Sequence, residues 1–351
     1  MKKINMPLHY GYSNTRVKAM KANMLSKEKI NEILQMKDLS EIIALLLKTD
    51  YQEDIEEFGG LNTNISLIDF ALNKHIARII KKLIKITPKE EKEIIEKLAI
   101  RWDLYNLKLI VYSKATDKNY DLIKEYIIES NKISKIIIKE ALEQPTFNDT
   151  INELIKKTPY KKILETIKEM YKKSESMEEV ENEIDRYFFE EFGKNAEIIK
   201  RYNVNAAKII EMDVEIRNIL MLIRSKKYNL SEEQLKQLLI PYGITNTKEL
   251  MRIYENSNDL KELINNIKSF DLRDAFNKYE QKDKRLLIFE INMKNQLFRK
   301  INVLLAHEVL SIGTIIYFFY LKEREVLTLR TIINSKIYEI ENKNVEEMIG
   351  W

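Results

Sequence analysis

The chain has 351 residues, 44% of them apolar and 32% charged, a composition that buries a core and lies outside the disordered regime. Its seven Gly and five Pro are about a quarter of the roughly 12% an average protein carries. Too few turn formers remain for a TIM barrel, a dinucleotide fold or a β-sandwich, and the reading is all-α. Cysteine is absent, which excludes disulfides, thiolate metal sites and a Cys nucleophile, and a net charge of +4 lacks the basic excess of a nucleic-acid binder.

From the N-terminus, Met1–Pro7 has no apolar core, so no signal peptide is read. A weak pattern begins at Ser26, with Ile30, Glu32 and Leu34 following. Thr49-Asp50-Tyr51 stands downstream of it. Lys74, Arg78, Lys81, Lys82 and Lys85 come next, with no acid among them, and Ile76, Ile79, Ile80, Leu83 and Ile84 intervene. This predicts an amphipathic helix with a solvated basic side, of a kind that also suits anionic surfaces.

Asp103-Leu-Tyr-Asn106-Leu-Lys-Leu-Ile-Val-Tyr-Ser113-Lys114 is the first copy of a stronger motif. The weak pattern returns at Ser134, Ile138, Glu140 and Leu142, and Thr158-Pro159-Tyr160 matches Thr49-Asp50-Tyr51. Glu178, Glu179, Glu181, Glu183 and Asp185 read as a solvated helical face. The motif recurs as Glu215-Ile-Arg-Asn218-Ile-Leu-Met-Leu-Ile-Arg-Ser225-Lys226, and the weak pattern recurs at Ser231, Leu235, Gln237 and Leu239.

Val309 to Leu321 is the longest uncharged run, at 13 residues. A bilayer span needs roughly 20, so it reads as a buried core helix. The third motif follows as Glu325-Val-Leu-Thr328-Leu-Arg-Thr-Ile-Ile-Asn-Ser335-Lys336. Two patterns in the same order, three times, predict three related helical modules, at residues 1–117, 118–229 and 230–351.

Helical geometry sets the motif's use. Its second, fifth, eighth and ninth residues fall on one face, roughly 120° wide, that seeks a core. The acid and the Lys lie about 20° apart, three turns along one edge. The repeat positions Asp103, Asn106, Lys114, Glu215, Asn218, Lys226, Glu325, Thr328 and Lys336 are therefore expected to make structural hydrogen bonds, with direct contact to a partner as the alternative.

No residues suggest catalysis. Gly11, Gly59, Gly60, Gly193, Gly243, Gly313 and Gly350 form no phosphate loop or dinucleotide fingerprint. His9, His75 and His307 stand in no metal-binding spacing. No catalytic residue, metal or cofactor is expected, and the isolated chain should neither bind nor hydrolyse ATP.

Read together, these residues resemble the C subunit of the archaeal and bacterial V/A-type ATP synthases, the counterpart of the d subunit of the vacuolar ATPase. The closing signature is Tyr317 to Ile332 followed by Lys336, the middle one Arg101-Trp102-Asp103-Leu104-Tyr105-Asn106-Leu107-Lys108, and the opening one Tyr12 to Met20. The chain departs from the family at Thr328, where Asn is common, at Ser335, where Gly is common, and at Glu215, where Asp is usual.

The resemblance implies an all-α funnel of three pseudo-threefold-related domains with a concave socket. It implies a non-catalytic rotor component, peripheral on the cytoplasmic face of the membrane. Its partners would be the proteolipid ring and the D and F subunits of the central stalk, with no nucleic acid and no cofactor. Candidate partner-facing residues are Arg16, Lys18, Lys81, Lys82, Lys322, Glu323 and Arg324. The competing reading is a helical-repeat scaffold that binds another protein through its concave face.

Overall fold

The computed structural model describes residues 9–57, 65–128, 130, 132–174, 176–281 and 284–350. Met1–Pro7, Gly59 and Gly60 lie outside these residues. Among the described residues every regular element is helical. The chain divides into two compact units: Asn23–Phe188, and Met1–Ala22 with Phe189–Trp351.

The first unit contains α2 (Lys27–Gln35), α3 (Leu39–Leu46), α4 (Gln52–Glu56), α5 (Ile65–Ile86), α6 (Lys92–Leu98) and α7 (Ile100–Ala115). Then come α8 (Tyr120–Ile123) with a 3₁₀ turn at Lys124–Tyr126, α9 (Lys135–Leu142), α10 (Phe147–Lys157) and α11 (Lys161–Ser174). Helix α12 (Met177–Ile199) runs past the division at residue 188. The second unit contains α1 (Gly11–Ala22) and α13 (Val204–Tyr228), then the short α14 (Glu232–Leu238), α15 (Thr247–Glu255), α16 (Leu260–Asn266) and α17 (Arg273–Gln281). Long helices α18 (Leu287–Leu305) and α19 (Ile312–Ile337) follow, and then α20 (Asn342–Ile349).

The weak sequence pattern proves to be helix capping. Ser26, Ser134 and Ser231 each accept a hydrogen bond from the backbone N–H three residues on, which satisfies one of the orphan donors of the first turn. The aliphatics four residues after each serine, Ile30, Ile138 and Leu235, are buried. The Thr–x–Tyr correspondence has a geometry of its own. Thr49 and Thr158 donate back to Leu46 O and Leu154 O at 2.6 and 2.8 Å. Each hydroxyl also accepts from the N–H of the tyrosine two on, at 3.4 Å in both cases.

The strong motif forms the C-terminal part of α7, α13 and α19, ending one or two residues before each helix does. All twelve of its face positions are buried: Leu104, Leu107, Ile110 and Val111; Ile216, Ile219, Leu222 and Ile223; Val326, Leu329, Ile332 and Ile333. The expectation of a single apolar face is too narrow, because α13 also buries Leu220, Met221 and Asp213. A helix apolar on nearly every side is a central one, and α19, whose residues from Ile312 to Tyr320 are all buried, is of the same kind. From Ile312 onward the uncharged run therefore is a core helix; Val309, Leu310 and Ser311 lie before it, and Val309 is exposed.

The three motif helices also stop alike. Asp117, Asn229 and Glu339 have φ of 53°, 55° and 51°. The next N–H in each case, of Lys118, Leu230 or Ile340, returns to the carbonyl of the motif serine, Ser113, Ser225 or Ser335. This closure suits Gly best, since a Cβ is strained in the left-handed region. Asp117→Gly and Glu339→Gly are each expected to raise stability by about 0.5–1 kcal/mol. Asn229→Gly should give less, because Asn tolerates this region. Thermal unfolding of the three variants checks this, and a fall in Tm for the first two would show that the side chains there do unseen work.

Candidate functional site

The polar residues of the motif turn inward. On α7, Asn106 donates through Nδ2 to Ile128 O at 2.6 Å and accepts the Ile128 N–H through Oδ1 at 3.2 Å. On α13, Asn218 does the same with Ile240, at 2.8 and 2.9 Å. The sequence separation is 22 residues in both cases. A primary amide is the side chain that can satisfy a backbone donor and acceptor of one residue together.

The motif acids act one turn earlier. Asp103, 2% exposed, accepts the Lys132 N–H at 3.0 Å and the Tyr160 hydroxyl at 2.6 Å. Burial, then the Asp103 charge and its hydrogen bond, push the Tyr160 phenol far above its ordinary range, so it remains a donor. Glu215 is fully buried. It accepts the Thr245 N–H and hydroxyl at 3.1 and 2.6 Å and the Ser269 hydroxyl at 2.8 Å. Gly243 leaves room for this carboxylate, since a Cβ there would sit 2.7 Å from Glu215 Oε2.

The motif lysines close the far end. Lys114 donates to Gln144 O, and Lys226 donates to Tyr254 O and Ser257 O at 3.1 and 2.7 Å. Each thus meets carbonyls at or just past the C-terminus of a short helix, α9 or α15, where donors are wanted. Lys226 also lies 3.9 Å from the Tyr254 ring centroid. Burial draws the Lys226 ammonium below its usual range.

The third motif is built differently. Glu325, 4% exposed, takes Lys322 Nζ at 2.7 Å, and Lys322 is itself only 1% exposed. Thr328 is buried, and Lys336 donates to Asn342 Oδ1 at 3.0 Å. The sequence suggests a partner-facing surface for Lys322; the structure places it inside the unit, because the buried Glu325 carboxylate needs a counter-charge. Of its neighbours, Glu323 is half-buried. Arg324 lies over the Phe298 ring at 4.6 Å and donates to Gly350 O at 2.8 Å.

Arg16, Lys18 and Lys82 are exposed, and Lys81 is half-buried. The basic side of α5 is less open than its sequence suggests. Lys74 pairs with Glu57, and Arg78 holds Asp54 at 2.7 Å and Glu53 at 3.2 Å. The acids of α4 and its flanks neutralise that end, which the absence of acids within the stretch itself concealed. The acidic run on α12 is mostly exposed or half-buried, with Asp185 meeting Lys108 at 2.7 Å.

Sequence reasoning did not anticipate Thr245 and Ser269 as partners of Glu215, or the Lys322–Glu325 pair. Tyr160 stood inside a noted correspondence, but nothing in the sequence linked it to Asp103. The register of the weak pattern also needs correction. The equal 22-residue bonds set Asn106 against Asn218. The counterpart of Ser134 is then Asn246, which caps α15, and Ser231 caps the helix before it.

Helices stitched by buried side-chain to backbone bonds define a packed, all-α structural class. Residues 13–348 match the family model described as ATP synthase (C/AC39) subunit, and the chain belongs to that family. Among its relatives, the C subunit of the A-type ATP synthase of Thermococcus onnurineus is 24% identical over 343 residues, covering 97% of this chain and 90% of that one. The protein of the same name from Archaeoglobus fulgidus is 24% identical over 345 residues, covering 97% and 96%. That from Desulfurococcus is 25% identical over 351 residues, covering 97% and 90%. Among the described residues no helix is long and apolar enough to cross a membrane.

Proposed function

We propose that the chain is a non-catalytic rotor or central-stalk subunit of a V/A-type ATP synthase. It joins the membrane proteolipid ring to the D and F subunits of the central stalk on the cytoplasmic face and couples rotation to proton or sodium transport. The observation that carries this reading is the use made of the motif polar groups. Asp103, Asn106, Lys114, Glu215, Asn218 and Lys226 all bond to groups of the chain itself. Side chains so engaged serve rigidity rather than turnover. Close-packed interiors have low compressibility and transmit strain, which is what a torque-bearing spacer requires. The names of the relatives support the same assembly.

The reading includes three modules, at residues 1–117, 118–229 and 230–351, arranged as a pseudo-threefold funnel. The common helix terminations at Asp117, Asn229 and Glu339, 112 and 110 residues apart, support it. Exposed Arg16, Lys18 and Lys82, with Lys81, Glu323 and Arg324, are its partner-facing candidates. Exposed valines at 204, 303 and 309 add apolar surface for a protein contact.

The test is capture of the purified chain on salt-stripped membranes with and without the proteolipid ring, over a salt series. Retention that needs the ring and persists at high salt is expected, since screening removes only the charge component. Strong binding to ring-free anionic liposomes, abolished by Lys81→Glu with Lys82→Glu, would make lipid the partner and overturn the rotor reading.

A further inference from the structure

We propose that His75 is a proton-operated clasp: its imidazole takes up a proton between Asp54 and Asp50 and draws α4 onto α5, so that closure of this contact depends on pH. The inference concerns α4 and α5 alone and stands or falls independently of the rotor reading.

The geometry is that of a buried ionic cluster. His75 is fully buried on α5, and Asp54 on α4 is 1% exposed. His75 Nδ1 lies 2.9 Å from Asp54 Oδ2, and Nε2 lies 3.8 Å from Asp50 Oδ2. The Tyr51 ring stacks on the imidazole at 3.9 Å and 26°. Arg78 donates to Asp54 through Nε and Nη2 and to Asp50 O through Nη2. Its Nη1 reaches Glu53 at 3.2 Å.

The contact to Asp54 settles which nitrogen carries the proton of the neutral ring. An ionised carboxylate only accepts, so Nδ1 is the donor. Arg78 Nη2, 3.2 Å from the same Nδ1, is then a neighbour and not a donor to it. Nε2 of the neutral ring turns a lone pair toward the Asp50 carboxylate. A proton there converts a repulsion into an ion pair.

The balance of charge favours uptake. Among the described residues, the carboxylates of Asp50 and Asp54 face the ring, and that of Glu53 meets the Arg78 guanidinium beside it; Lys74 pairs with Glu57. Burial works against ionised Asp54, but its bonds from His75 and Arg78 prevail and hold the carboxyl below its usual range. The anion is therefore present throughout the pH range in which imidazole titrates. The Tyr51 ring face adds attraction to a cation. Opposing uptake are burial of the imidazolium and the nearness of Arg78.

Helix α6 also packs on α5. Its N-terminal boundary brings Glu91, which is buried, and the helix itself brings Lys92, Glu93, Glu96 and Lys97; its buried face is Ile94, Ile95 and Leu98, and Lys97 turns to Glu93 at 3.3 Å. The other charged groups of α5 are Asp69, Lys81, Lys82 and Lys85, six or more residues from His75 along the helix.

Proton uptake by the folded chain above the ordinary imidazole range fixes the sign. The contribution is fully present below pH ~6.5 and is lost as pH rises past the point where folded His75 gives up its proton. Imidazole ¹⁵N shifts of the full chain from pH 5 to 9 test this directly. His75 should remain an imidazolium to at least about one pH unit above the ordinary imidazole value of ~6.5, a tenfold greater proton affinity. Asp50→Asn should move His75 back toward that ordinary value, and His75→Gln should erase the loss of amide protection in α4 between pH 6 and 8. A neutral His75 at pH 6, titration at the ordinary imidazole value, or no response to Asp50→Asn would overturn the proposal. The shifts of the unaltered chain suffice if a variant fails to fold.

Discussion

Lys322→Met is expected to destabilise the chain by about 3–5 kcal/mol, the cost of removing one member of a buried ion pair. Both members are almost wholly enclosed, Lys322 at 1% and Glu325 at 4% exposure, with 2.7 Å between Nζ and Oε1. Removing the ammonium takes this 2.7 Å partner from a carboxylate that is almost wholly buried. The double variant Lys322→Met with Glu325→Leu is expected to recover most of the loss, because apolar groups of similar volume often replace a buried pair without penalty. Urea unfolding of the parent, the two single variants and the double variant gives the coupling between the sites. If the double variant is no more stable than either single one, the pair is not a closed unit.

The second large effect belongs to Asn218. Asn218→Ala removes both bonds to Ile240 and strands a carbonyl and an N–H of a residue only 1% exposed. Each orphaned group costs about 1–3 kcal/mol, so a loss of about 2–5 kcal/mol is expected. Asn218→Asp should do no better, since an ionised carboxylate faces the Ile240 carbonyl with no donor to offer. Asn106→Ala should behave alike, with the added loss of the 3.2 Å bond to Ser130. A change below ~1 kcal/mol in denaturant midpoints for either alanine variant would show that the loop detaches and hydrates.

How far the sequence disclosed this arrangement depended on the range of each interaction. Scarcity of Gly and Pro pointed to helices, and the motif aliphatics pointed to the core, because both are local properties. The role of Asn106 was open, since its partner Ile128 is an ordinary aliphatic whose backbone alone takes part. Lys322 misled for a related reason: a Lys beside Glu323 and Arg324 looks solvated until the fold encloses Glu325. The basic stretch of α5 looked open because its counter-charges precede it, Glu53 and Asp54 on α4 and Glu57 at the end of that helix. The serine pattern failed in register, not in kind. Any amphipathic helix with a polar cap shows a Ser followed by Leu or Ile four on, so Ser231 imitated a position that Asn246 holds.

Apart from the bonds of Tyr160 to Asp103 and of Ser269 to Glu215, which span 57 and 54 residues, the motif bonds described for α7 and α13 reach 22 to 31 residues along the chain. Closing loops of this length takes little entropy, and interactions so close in sequence favour rapid assembly. Residues 103–144 and 215–257 therefore have the makings of self-contained folding nuclei, each able to consolidate during synthesis before the distal helices exist. In native-state hydrogen exchange, the amides of Ile128 and Ile240 would then open together with their own central helix, as cooperative blocks, and not with the fraying of the surface turns beside them.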